Sequence, residues 1–140
     1  MAKGSNGKRS AEEARDAIEK LDLTRIVEKA MAVYDWPRER ALEADRWYRN
    51  FLRLCHEVDG PVAAIGRDAD DLWHLHILDT RKYEADCEAV FGRFLSHRPL
   101  YGEPDADERR LFEETRELYV RSFGAVPDRV GFVSIFGGFG

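Results

Sequence analysis

Residues 71–78 read "DLWHLHIL". This stretch constrains the fold more than any other. Coiled as a helix, Leu72, Trp73, Leu75, Ile77 and Leu78 spread apolar surface nearly all round, and such a helix has to be enclosed by its neighbours. On a helical wheel of about 100° per residue, Leu72, Trp73, His76, Thr80, Tyr83, Cys87, Val90 and Phe91 share one face. Asp70, His74, Arg81 and Glu88 share another. Two histidines separated by one leucine then diverge and cannot easily hold one metal ion. In an extended strand the same pair would point the same way.

The surrounding sequence is helical in period. Ser10 followed by "AEEARDAIEKL" is a capped helix start, with Glu12 and Glu13 near the positive end of the dipole. Leu21, Leu23, Ile26, Val27, Ala30, Met31 and Tyr34 continue the spacing, so 11–34 is one long helix or two meeting near Asp22 and Thr24. Trp36-Pro37 breaks the chain, because a residue before proline avoids helical angles. "RERALEADRWYRNFLRLCHEV" is strongly amphipathic and stops at Asp59-Gly60-Pro61. An extended run is possible at 62–65. The central helix spans about 70–91, and "RFLSHRPLYGEPDAD" is loop or short helix. Asp105 and Asp107 lead a last helix that ends at Gly124. These signals predict an all-α, single-domain bundle of four to five helices around a central buried helix. The domain occupies 10–125, behind a disordered segment 1–9 and ahead of a Gly/Phe-rich tail 126–140.

Composition narrows the function. The chain has 140 residues and a formal net charge of -5, with no cationic cluster beyond its N-terminus. A nucleic-acid or anionic-membrane partner is therefore not expected. No stretch reaches the roughly 18 to 20 apolar residues of a membrane span. The polar start lacks the apolar run of a signal peptide, and two cysteines, Cys55 and Cys87, are too few for a disulfide framework. A cytoplasmic protein with reduced thiols is expected. No Walker motif, GxGxxG after a strand, HExxH or GxSxG occurs.

Chemistry-bearing residues concentrate between 68 and 99. Trp73, His74, His76, Tyr83, Cys87 and His97 are the candidate pocket. Imidazole and thiolate suit zinc, copper or iron, so His74, His76 and His97 are the candidate metal ligands. His76 and Cys87 are about 16 Å apart along a helix axis, too far for one ion. A metal site would have to pair one helical histidine with His97 or His56. The alternative is a set of satisfied core histidines. Asp70, four before His74, and Asp79, three after His76, are in local reach as partners. Asp68, Asp70 and Asp71 otherwise read as a helix cap. Cys87 lies on an apolar face and reads as an inert thiol.

The spacing Asp70, Trp73-His74, His76-Ile77, Asp79-Thr80, Tyr83, Asp86-Cys87, Phe91-Gly92, Phe94-Leu95, His97 and Pro99 resembles the signature of the glycine-rich domain-containing protein-like family. "YRNFLRLC" and "LFEETRELYVRSFG" extend the resemblance over about 35–125. Ala69 stands where the pattern has an aliphatic residue, and Ser96 where many members have a second histidine. The resemblance implies a shared fold and special site and brings no reaction.

The tail "GFVSIFGGFG" places Phe132, Ile135, Phe136 and Phe139 beside glycines, as anchors for a protein partner. The function expected is a non-catalytic interaction or accessory module with a His/Trp/Tyr-lined pocket and a partner-binding tail. The alternative is a metal-dependent enzyme or metal carrier using His74 or His76 with His97.

Overall fold

The computed structural model describes residues 9–58 and 60–139, apart from the side chains of residues 132 and 133. The expected disordered start therefore lies, up to residue 8, outside the described residues, as do Asp59 and the side chain of Phe132. Nine elements follow one another in the described residues. They are α1 Ala11–Lys20, α2 Thr24–Tyr34, α3 Arg38–Glu57, β1 Val62–Gly66, α4 Arg67–Leu78, α5 Thr80–Phe91, β2 Leu95–Pro99, α6 Ala106–Phe123 and β3 Val130–Phe139.

The all-α expectation is corrected by the sheet. Its strand order is β1-β3-β2, with both pairings antiparallel, so the fold is mixed α and β. The central strand is the C-terminal tail. Ile135 and Phe136, expected at a partner surface, are 0% and 2% exposed inside the chain's own core. Phe139 packs on Phe91 and Phe136. The physical reason for the miss is range. β3 pairs with segments some 70 and 40 residues earlier, as in Val62 with Phe136 and His97 with Phe136. Helical periodicity in the chain carries no trace of such pairings.

Local chemistry sets the helix ends. Ser10 and Glu13 form a capping box on α1, and Asp105 and Glu108 form one on α6. Each closes backbone N–H groups that a helix start leaves without partners. Gly92 and Gly124 end α5 and α6 at φ 74° and 79°, left-handed angles that glycine adopts without a Cβ clash. The expected single helix 70–91 is two. Asp79 accepts from the Lys82 backbone N–H and starts α5, while its own N–H returns to the His76 carbonyl. An aspartate offering the backbone this alternative breaks the ladder.

α3 lies along the core, burying Tyr48, Phe51, Leu52, Leu54 and Cys55. α4 touches α2, α3, α5, β1 and β3. Leu72 and Trp73 are fully enclosed, yet Leu78 is 76% exposed. The helix is thus central without being covered on every side. β1 is buried at every position, which explains why "VAAIG" lacks the alternation of a half-exposed strand.

Candidate metal centre

His74 and His76 point to different neighbours, as their helical spacing requires. His76 is 2% exposed. Its Nε2 lies 2.8 Å from Asp86 Oδ2, and its Nδ1 lies 2.7 Å from the Tyr48 hydroxyl. A carboxylate only accepts, so the ring proton sits on Nε2 and Nδ1 accepts from Tyr48. Lys82 Nζ stands 3.0 Å from the same Asp86 oxygen. Burial lowers the His76 pKa, and the hydrogen bond to Asp86 opposes it. This is a satisfied core histidine. Its carboxylate is Asp86, on the following helix α5, rather than the expected Asp79.

Tyr83 and Trp73 are also tied down. Trp73 Nε1 donates to the Tyr83 oxygen at 3.0 Å, and the Tyr83 hydroxyl donates to the Leu95 carbonyl at 2.6 Å. These bonds link α4, α5 and β2. Cys55 and Cys87 are buried, and burial raises both thiols above their ordinary pKa. Neither is set up as a nucleophile.

His74 has a different environment. Asp70, one helical turn before it, places Oδ2 3.4 Å from His74 Nε2. His97 reaches in from β2 and sets its Nε2 3.0 Å from His74 Nε2. Ser134 of β3 completes the group, with its Oγ 3.1 Å from His74 Nε2 and 2.9 Å from His97 Nε2. The Trp73 and His97 rings meet edge to face at 4.6 Å between centroids, which fixes the His97 plane. One ligand atom each from Asp70, His74 and His97 lie within 4.8 Å of one another.

The sheet positions two of these groups through a register break. Leu95 pairs with Phe139 and His97 with Phe136, so β3 spends one more residue than β2 across this interval. Gly138, at φ 113°, lies in it. An extra residue with glycine geometry is a β-bulge, and bulges re-aim neighbouring side chains. The "GG" of the tail thus sets which β2 side chain turns toward α4.

Protons are short in this cluster. Serine brings one, and a neutral imidazole carries its proton on only one nitrogen. If one ring donates to the other, that ring and the hydroxyl bring a proton each to the four contacts Asp70–His74, His74–His97, His74–Ser134 and His97–Ser134. Lone pairs therefore face each other. Asp70 Oδ1 is buried without any hydrogen-bond partner. Burial, opposed by His74 and by the Ser134 hydroxyl, lifts the Asp70 pKa from 3.8 to about 6. Burial, reinforced by His74, lowers the His97 pKa. His97 is held in the neutral form that binds metals.

The arrangement is not a hydrolytic triad. There, the carboxylate and the hydroxyl hold opposite nitrogens of one ring. Here Asp70 and Ser134 approach the same Nε2 of His74, and Ser134 is 1% exposed. Sequence reasoning placed His74 and His97 among the ligands and Asp70 within reach of His74. Ser134 was missed, because nothing local distinguishes a serine in a tail. Ser96 stands outside the cluster.

A family model described as UCP032817-like matches residues 15–108, more than half of the chain. The chain belongs to that family, which is uncharacterised. This replaces the resemblance to the glycine-rich domain-containing protein-like family. Much of the spacing that suggested it serves local structure, with Asp79 capping α5, Gly92 ending it and Trp73 bonded to Tyr83. No curated protein and no solved structure matches the chain.

Proposed function

We propose that this member of the UCP032817-like family binds one divalent first-row transition ion, zinc or iron(II), through Asp70, His74 and His97. The observation that carries the reading is the convergence of two imidazole nitrogens and a buried carboxylate with too few protons between them. A cation turns the facing lone pairs from a repulsion into a bond set. Tetrahedral zinc ligands at 2.0–2.1 Å are about 3.3 Å apart, close to the 3.0 Å between the two Nε2 atoms. Two histidines and one carboxylate leave coordination positions open, the ligand set of catalytic zinc and of non-haem iron. The His74 side chain is 38% exposed, so the site lies close to solvent. A bound ion there supplies Lewis-acid chemistry to a substrate oxygen. His76 takes no part in it, being held by Tyr48 and Asp86.

The interaction-module reading has less support. A protein partner reached through the tail would first have to peel β3 out of the sheet. That exposes Ile135 and Phe136 at a cost of roughly 3–6 kcal/mol.

The test is elemental analysis of protein purified without an affinity tag. One equivalent of zinc or iron is expected in the wild type and in Tyr48→Phe, and less than a tenth of that in His97→Ala. Absence of a stoichiometric ion, together with failure to take up added zinc or anaerobic iron(II), would refute the proposal. Equal metal content in folded His97→Ala would place the ion elsewhere.

A further inference from the structure

A second feature lies where the end of α3, the start of the β2 approach and the last residues of β3 surround a cleft of about 320 Å³. Its wall includes His56, Pro61, Arg93, Phe136 and Phe139. The Arg93 guanidinium carbon stands 4.0 Å from the centre of the Phe139 ring, so the cation rests on an aromatic. A ring satisfies the face of a guanidinium and leaves its five in-plane N–H groups to be filled. Among the described residues Arg93 makes no ion pair, and its Nε is buried with no hydrogen-bond partner. No carboxylate lines the cleft among the described residues, although the chain carries a net charge of -5.

His56 offers the cleft no donor. Its Nε2 lies 2.6 Å from the Arg9 carbonyl, which can only accept, so Nε2 holds the ring proton. Nδ1 is then a buried lone pair without a partner. The neighbouring walls, Pro61, Phe136 and Phe139, are apolar. A half-buried arginine with an open donor fork, its face on one aromatic ring and apolar walls beside it, matches a planar carboxylate carried on an apolar body. A free phosphate would use the fork and gain nothing from the apolar walls.

We propose that this cleft is a binding site for a small aromatic or branched aliphatic carboxylate, held by Arg93 through its in-plane N–H groups, with its apolar body against Pro61 and the part of Phe139 that Arg93 leaves uncovered. The site shares no ligand atom with Asp70, His74 and His97. It stands whether or not those residues bind a metal.

Benzoate and inorganic phosphate are the probes, titrated into the full chain by calorimetry and by following amide shifts, in chelator and again with zinc. Benzoate is expected to saturate, with shifts centred on 136–139 and 56–61. Arg93→Gln, which keeps a polar side chain but loses the charge and the guanidinium fork, is expected to weaken it at least tenfold while the melting temperature stays within a few degrees. Phosphate is expected to bind at least tenfold more weakly than benzoate. No saturable benzoate binding, an unchanged affinity in Arg93→Gln, or phosphate binding as tightly as benzoate would each overturn the proposal. Shifts centred instead on 70–74 that appear only with zinc would do so too, by placing the carboxylate on the metal.

Discussion

Replacing Asp70 by asparagine tests the candidate centre through stability. In the folded protein, burial lifts the carboxyl from 3.8 to about 6. The ionised form is therefore disfavoured by folding, at 1.36 kcal/mol per pH unit. The rise corresponds to about 3 kcal/mol of stability absent above pH 6 and restored as pH falls below about 4. The amide introduced by D70N has no charge to bury and keeps a group that can meet Ser134. The metal-free D70N protein should be more stable than the wild type by up to about 3 kcal/mol at pH 8, with the gap closing near pH 4. Zinc should act in the opposite sense. An ion at 100 times its dissociation constant stabilises the wild type by about 2.7 kcal/mol and at 1,000 times by about 4.1, and D70N by nearly nothing. Raising zinc should therefore first close the gap and then invert it. Urea unfolding read by tryptophan fluorescence is the assay, since Trp73 is fully buried and its ring lies 4.6 Å from that of His97. A chelated D70N protein less stable than the wild type at pH 8, or equal gains from zinc in both, would refute the reasoning.

Other outcomes follow from the same geometry. Zinc affinity should fall as pH drops through about 6, where Asp70 takes up a proton and stops ligating; a titration by competition with a chromophoric chelator reads it. Tyr48→Phe leaves His76 Nδ1 buried without a donor and should cost about 1–3 kcal/mol in denaturant unfolding while leaving metal content unchanged. Gly138→Ala places a side chain at φ 113° and should cost about 1–3 kcal/mol. Because the same bulge aims His97, this variant should also lose zinc affinity, a loss that a purely local strain would not cause.

Much of the helical scaffold was legible in the chain. Ser10 and Asp105 cap, Trp36-Pro37 breaks, and Gly92 and Gly124 stop, each through chemistry within one turn of the residue concerned. Asp79 was read as a partner for His76 and proved to be a helix breaker. Both roles use the same carboxylate, and only packing decides between them. The sheet was nearly silent. β1 is uniformly buried, so it shows no alternation, and β2 reads "LSHRP", a loop by composition. Ile135 and Phe136 read as exposed anchors because their burial depends on strands far away in the chain.

The sequence by itself determined that His74 and His76 act apart, since a helix turns about 100° per residue and no packing can change that. It also determined that Asp70 shares a face with His74. Only the tertiary structure decided which histidine meets which partner. His97 and Ser134 come to α4 on neighbouring strands whose pairing spans tens of residues. Such pairing is selected by the burial of Ile135 and Phe136 over the whole core, a quantity that no local window of residues contains.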